Sequence, residues 1–179
     1  MLFALSLGLA LVDPLASSAL AGNVRFDPLR LSSSKLAYPS CTVPERIHKY
    51  REAELKHGRL AMLAAVAYPA QEKLNPLLSS TFDLPNLLAD HALSPSLVNG
   101  GLRLDTLLLF LGVGAVIELR KQRIVSPIAG DYRWRIGDAV PGSKAFFDLQ
   151  AGEVWNGRIA MVAVLGYVVQ EAVARVPVL

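Results

Sequence analysis

Two segments of this 179-residue chain carry reactive side chains in the same order. They are Glu54-Leu-Lys-His-Gly-Arg-Leu-Ala-Met-Leu-Ala64 and Glu153-Val-Trp-Asn-Gly-Arg-Ile-Ala-Met-Val-Ala163. Each supplies a carboxylate, a neutral Lewis base (His57, Asn156) and a guanidinium (Arg59, Arg158) on an otherwise apolar background. The offset of 99 residues also aligns Tyr68, Gln71 and Glu72 with Tyr167, Gln170 and Glu171. Helical composition alone does not produce that agreement. Two related helices that start on the same side of a bilayer and pack about a pseudo-two-fold axis along its normal would produce it.

The first chemistry on offer is charge pairing. Glu and Arg separated by five residues lie about 500° apart around a helix, off any shared face. They pair more readily across the two copies, Glu54 with Arg158 and Glu153 with Arg59. Two neutral pairs would then sit where the helices cross, with Gly58, Ala61, Ala65, Gly157 and Ala160 allowing close approach. The second chemistry is ligation. A carboxylate paired with one Arg keeps spare lone pairs. A Mg²⁺ ion held in a planar macrocycle lacks an axial ligand and takes a hard oxygen or an imidazole. Glu54 and His57 share a helix face, Glu153 and Asn156 repeat the spacing, and Gln170 follows on the later copy. Gln71 stands where Gln170 stands. Its amide oxygen suits Mg²⁺ directly or through water, or else its amide bonds the carbonyl freed by Pro69. Taken singly, each residue reads as structural: a Glu–Arg lock, a satisfied His, amides bonding a neighbouring helix. Two copies in register favour ligation.

Three apolar stretches must position these groups: Leu55–Leu74, Leu102–Leu119 and Ile159–Val176. Each approaches the ~20 residues that cross a bilayer core. The spacing predicts helices over about 44–74, 102–121 and 148–175, in a three-helix domain spanning 23–179. Pro69 predicts a kink near the far end of the first. Asn75–Gly101 and Ser126–Gln150, rich in Pro and Gly, read as loops. Arg25, Arg30, Lys35, Arg46, Lys49 and Arg51 precede the first stretch. Arg120, Lys121, Arg123, Arg133, Arg135 and Lys144 follow the second, while only Lys73 and Arg103 stand at the ends that face the intervening loop. Three spans with the N-terminus on the positive side satisfy that distribution. Lys56 and Trp155, at equivalent positions, read as interfacial anchors. The apolar segment 1–22 opens with Met1–Val12, which lacks a basic leader and is too short to span. It reads as a retained interfacial or docking segment.

Composition agrees with a membrane setting and narrows the function. Hydrophobic residues make up 53% and charged residues 18%, against about 25% charged in soluble domains. Mean hydropathy is +0.38 and the pI about 9.2. A net charge of +3 suits anionic lipid and is too small to argue for nucleic acid. The single cysteine, Cys41, excludes an internal disulfide and a cysteine metal cluster.

The paired motifs Glu54-x-x-His57-x-Arg59 and Glu153-x-x-Asn156-Gly157-Arg158 resemble the signature helices of the light-harvesting chlorophyll-binding proteins. Arg25-Phe26-Asp27-Pro28-Leu29-Arg30-Leu31 is similar to that family's N-terminal carotenoid-binding motif, with Arg25 and Arg30 unusual in it. Phe146-Phe147-Asp148-Leu149 looks like a degraded second copy. The resemblance covers about Asn23 to Glu171. It implies an all-α membrane protein of three transmembrane helices in a plastid thylakoid, the first and third crossing about the pseudo-two-fold axis, with a stromal N-terminus. It implies Mg ligation by Glu54, His57, Glu153, Asn156 and Gln170, and by Glu118 on the middle helix with Lys121 or Arg120 as counter-charge. For Glu118 the competing reading is a carboxylate reaching out at a helix end.

Three departures qualify the match. Phe110 replaces a second middle-helix ligand, the family's short amphipathic C-terminal helix is not expected, and the Asp27–Glu54 spacing is long. These features look more like red-lineage algal antennae, of the chlorophyll a/b-binding-like or fucoxanthin chlorophyll a/c type. The resemblance thus implies chlorophyll a with chlorophyll c or another accessory chlorophyll, and xanthophyll carotenoids with fucoxanthin a candidate. As partners it implies a photosystem core (photosystem I favoured), neighbouring antenna subunits and thylakoid lipids. The function implied is a non-enzymatic antenna. A photoprotective relative that dissipates excitation is one alternative, although the far-side acids Glu72, Asp83, Asp90 and Asp105, with His91, are few for a pH sensor. A small transporter or channel is another, although it would need a continuous polar face.

Overall fold

The computed structural model describes residues 20–35, 37–82, 88, 104–122, 128–132 and 142–178. Among the described residues all regular structure is helical: α1 (Val43–Phe82), α2 (Leu104–Gln122) and α3 (Lys144–Ala174).

Local chemistry fixes where these helices begin. At the start of α1 the Thr42 N–H donates to Glu45 Oε2 at 2.9 Å, one half of a capping box. Pro44 falls in the first turn, where a missing N–H leaves no bond unmade. Ser143 caps α3, its Oγ accepting the Phe146 N–H at 3.2 Å. α2 carries Asp105 in its first turn and Arg120 and Lys121 in its last, each sign suited to the helix dipole.

Two boundaries differ from the sequence expectation. α1 continues past Leu74 to Phe82, through Pro76, where a loop is predicted. The hydroxyls of Ser79, Ser80 and Thr81 bond back to the carbonyls of Pro76 and Leu77 at 2.8–3.0 Å, so polar residues that suggest a loop are satisfied on the helix. α3 begins at Lys144, so Phe146-Phe147-Asp148-Leu149 lies within its first turns and not before the helix. No proline follows Asp148 as Pro28 follows Asp27. Most of segment 1–22 lies outside the described residues, as do His91, Arg103, most of the predicted loop 75–101 and residues 126–127 and 133–141 of the second.

The chain divides into two compact units. The first comprises Met1–Lys56, Ile128–Gly130 and Arg135–Trp155. In it Arg46, 2% exposed, donates to the carbonyls of Ser32 at 3.2 Å and Cys41 at 3.0 Å. Arg51, also buried, reaches the Ala21 carbonyl at 2.8 Å. Two arginines counted among the basic residues before the first apolar stretch therefore tie the preceding segment to α1. Gly22, at φ 66°, lies against Val154, which a Cβ there would approach to 3.3 Å.

The second unit comprises His57–Pro127, Asp131–Trp134 and Asn156–Leu179. Here α1 and α3 meet at Gly58 and Gly157, where a Cβ on either would lie 3.0 Å from the other's Cα. Farther along, the rings of Tyr68 and Tyr167 meet with centroids 6.0 Å apart and planes tilted by 37°.

Across the described residues the buried apolar side chains are Leu55, Ala61, Val154 and Ala160. Leu63, Phe110, Val162 and Val173 are each more than 70% exposed. A water-soluble fold arranges its apolar side chains the other way round. Among the described residues α3 is the one helix long and apolar enough to cross a bilayer. Asp105, Glu118, Arg120 and Lys121 fall within the 19 residues of α2, and Arg59 and Glu72 interrupt α1.

Candidate functional site

The site is built from the two repeat copies, and the structure gives them matching surroundings. Glu54 and Glu153 are half-buried, as are Arg59 and Arg158. Gly58 and Gly157, Ala61 and Ala160, and Glu72 and Glu171 are buried in pairs. His57 and Asn156 are both exposed, and Gln71 and Gln170 both half-buried. The Gly58–Gly157 and Tyr68–Tyr167 contacts each join a residue to its own equivalent. A helix pair related by a two-fold makes such contacts, and one packed in an arbitrary register does not.

Each candidate ligand presents a particular chemistry. Glu54 takes an ion pair from Arg51, Nη1 to Oε2 at 2.9 Å, a partner one turn back that the sequence reading did not assign. Gln170 Nε2 donates to the Pro177 carbonyl at 2.7 Å, which leaves its amide oxygen as the group on offer. Glu118 on α2 accepts the Tyr132 hydroxyl at 3.1 Å on Oε1. The Tyr132 ring in turn lies under the Arg59 guanidinium, 5.1 Å from its centroid. Tyr132 is thus a member of the site that sequence reasoning missed. It lies between α2 and α3, where no periodicity in the sequence marks it. Phe110, which replaces the family's second middle-helix ligand, is 73% exposed. Oxygen and imidazole donors on outward or half-buried faces fit the axial position of a Mg macrocycle lying against the helices.

Before α1, Asp27 organises the Arg25–Leu31 turn. Its Oδ1 accepts the Leu31 N–H at 2.8 Å and its Oδ2 the Ser32 N–H at 2.9 Å. Arg25 and Arg30 adopt φ of 56° and 50° on either side. Slight burial pushes the Asp27 carboxyl up, but hydrogen bonds from Ser32 and Leu31 and the charge of Arg30 outweigh it and hold the group below its ordinary value.

A family model described as chlorophyll A-B binding protein matches residues 14–172. The chain belongs to the chlorophyll A-B binding protein family. It is 31% identical over 153 residues to a fucoxanthin-chlorophyll a-c binding protein of Chattonella marina var. antiqua, covering 82% of this chain and 63% of that one. It is also 31% identical over 146 residues to a protein of the same description from Isochrysis galbana, covering 72% and 65%. Both relatives are described as chloroplastic. The chain therefore spans less than two thirds of each of these chlorophyll-binding relatives.

Proposed function

We propose that this chain is a light-harvesting antenna subunit that binds chlorophylls and carotenoids and passes excitation energy to a photosystem, with no catalytic step of its own. The observation that carries this reading is the repeat. Its Lewis bases recur in matched environments on two helices that touch at equivalent residues. The outward apolar surface supports a thylakoid setting, and the distribution of basic residues favours three spans with a stromal N-terminus. α1 and α3 then cross about a pseudo-two-fold axis. The crossed pairs Glu54–Arg158 and Glu153–Arg59 neutralise charges that would each cost about 2.5–3.5 kcal/mol to insert alone.

Glu54, His57, Glu118, Glu153, Asn156 and Gln170 would hold chlorophyll through Mg, and Gln71 a further chlorophyll at the mate of the Gln170 site. The bound pigments supply absorption and energy transfer, while the side chains fix their positions and orientations. The two relatives' descriptions favour chlorophyll a with chlorophyll c, and fucoxanthin among the xanthophylls. The partners in this reading are a photosystem core, photosystem I as the one served, neighbouring antenna subunits and thylakoid lipids.

Pigment reconstitution tests it. His57→Leu and Asn156→Leu should each lose one chlorophyll per chain and keep the helical circular dichroism of the parent. An unchanged chlorophyll-to-protein ratio in both variants would exclude these two residues as ligands.

A further inference from the structure

The chain beyond α3 turns back on the helices it has just left. Arg175, the first residue after Ala174, has φ 51°, a left-handed conformation that a non-glycine residue keeps when surrounding contacts impose it. Two contacts do so. The Pro177 carbonyl accepts the Gln170 Nε2 hydrogen at 2.7 Å. The Val178 N–H lies 2.9 and 3.0 Å from the two carboxylate oxygens of Glu72 on α1. Glu72 is 6% exposed, so this backbone hydrogen bond is shielded from competing water. Residues 175–178 thus form a strap fastened to α3 at Gln170 and to α1 at Glu72.

We infer that this strap, clasped by Glu72, fixes the amide of Gln170 so that its oxygen faces the chlorophyll Mg, which makes Glu72 a positioning residue for that pigment. The inference rests on the reading of Gln170 as a ligand. A carbonyl accepts hydrogen bonds and cannot donate them, so the Pro177 oxygen tolerates the NH₂ end of the amide and repels its oxygen end. Only the amide oxygen has lone pairs suited to Mg, because the nitrogen pair is delocalised. Without the strap the amide can turn over and present NH₂ to the metal. Among the described residues the equivalent Gln71 has no such device. α1 runs on to Phe82, so the residue seven beyond Gln71 lies about 10 Å farther along a straight helix, out of reach. The helix that ends sooner is the one that gains the strap.

The test uses the full chain reconstituted with pigments, comparing Gln170→Leu, Glu72→Leu, Val178→Pro and Glu72→Gln. The readouts are the chlorophyll-to-protein ratio, the absorption difference spectrum against the parent, and the rate of pigment loss on dilution into detergent. Gln170→Leu should lose one chlorophyll and define its band. Glu72→Leu and Val178→Pro should release the same band about five-fold faster than the parent, the factor carried by one hydrogen bond of ordinary strength. Glu72→Gln, whose amide oxygen still accepts the Val178 N–H, should hold it at close to the parental rate. Val178→Pro leaves Glu72 in place and removes the strap's N–H, so it reads the strap even if Glu72→Leu misfolds. Parental retention in Val178→Pro, with the band lost in Gln170→Leu, overturns the strap's role and leaves the ligand intact. A full pigment complement in Gln170→Leu overturns the ligand reading and the strap with it.

Discussion

Asp27 does the work of several residues in the Arg25–Leu31 turn, since both of its oxygens accept backbone N–H groups. Its folded pKa lies below the ordinary 3.8. The stabilisation is therefore fully present above that value and lost as pH falls through the lower, folded one. We expect amide protection at Leu31 and Ser32, corrected for intrinsic exchange, to stay flat above pH 3.8 and to fall below it. Asp27→Asn should remove this pH dependence, and a protection profile identical in both proteins would count against it. At this scale the sequence was legible where spacing does the talking. The 99-residue offset marks His57 and Asn156 as a pair, and both prove exposed in the same way. Arg51 beside Glu54, Tyr132 beside Glu118 and the burial of Arg46 were not legible. Each depends on where a neighbouring segment runs and which rotamer it permits, and no periodicity encodes that.

At the scale of elements, the Gly58–Gly157 contact sets how closely α1 and α3 approach. A Cβ at Gly58 would lie 3.0 Å from a backbone atom, which cannot swing aside as a side chain can. Gly58→Ala should destabilise the complex by about 1–3 kcal/mol from overpacking, offset in part by the roughly 1 kcal/mol that Ala gains over Gly within a helix. Gly152 on α3 has no described atom within 4 Å of such a Cβ, so Gly152→Ala should show the gain alone. Thermal melting followed by circular dichroism separates the two, and equal shifts would mean that the crossing is not tight. Three helices were legible from the apolar stretches, but two of their ends were not. Ser143 and the hydroxyls of Ser79, Ser80 and Thr81 extend α3 and α1 into segments whose composition suggests loop, because the same polar groups can serve either state.

For the whole molecule, hydropathy indicates an apolar chain but not which way its side chains face. The structure turns them outward and buries four apolar residues among those described. The hydrophobic effect acts on area taken out of contact with water, so little of the stability arises between the helices themselves. In the proposed reading, pigment and lipid cover the apolar faces of α1, α2 and α3. Pigments that bind the folded chain and not the unfolded one stabilise it by mass action. Extracting them should therefore lower the melting temperature and the helical signal together, and reloading should restore both. A pigment-free chain that melts where the loaded one does would show that the helices need no such filling.

The meeting of Gly58 with Gly157 also bears on ancestry. A surface that touches its own counterpart is complementary to itself, so one copy of the segment, present twice, would make the same contact without being joined. At this contact the two segments meet as the halves of a homodimer interface would, residue against equivalent residue. Joining releases each half from having to mirror the other. At the contact both still carry glycine, while on the outward face one has His57 and Lys56 and the other Asn156 and Trp155.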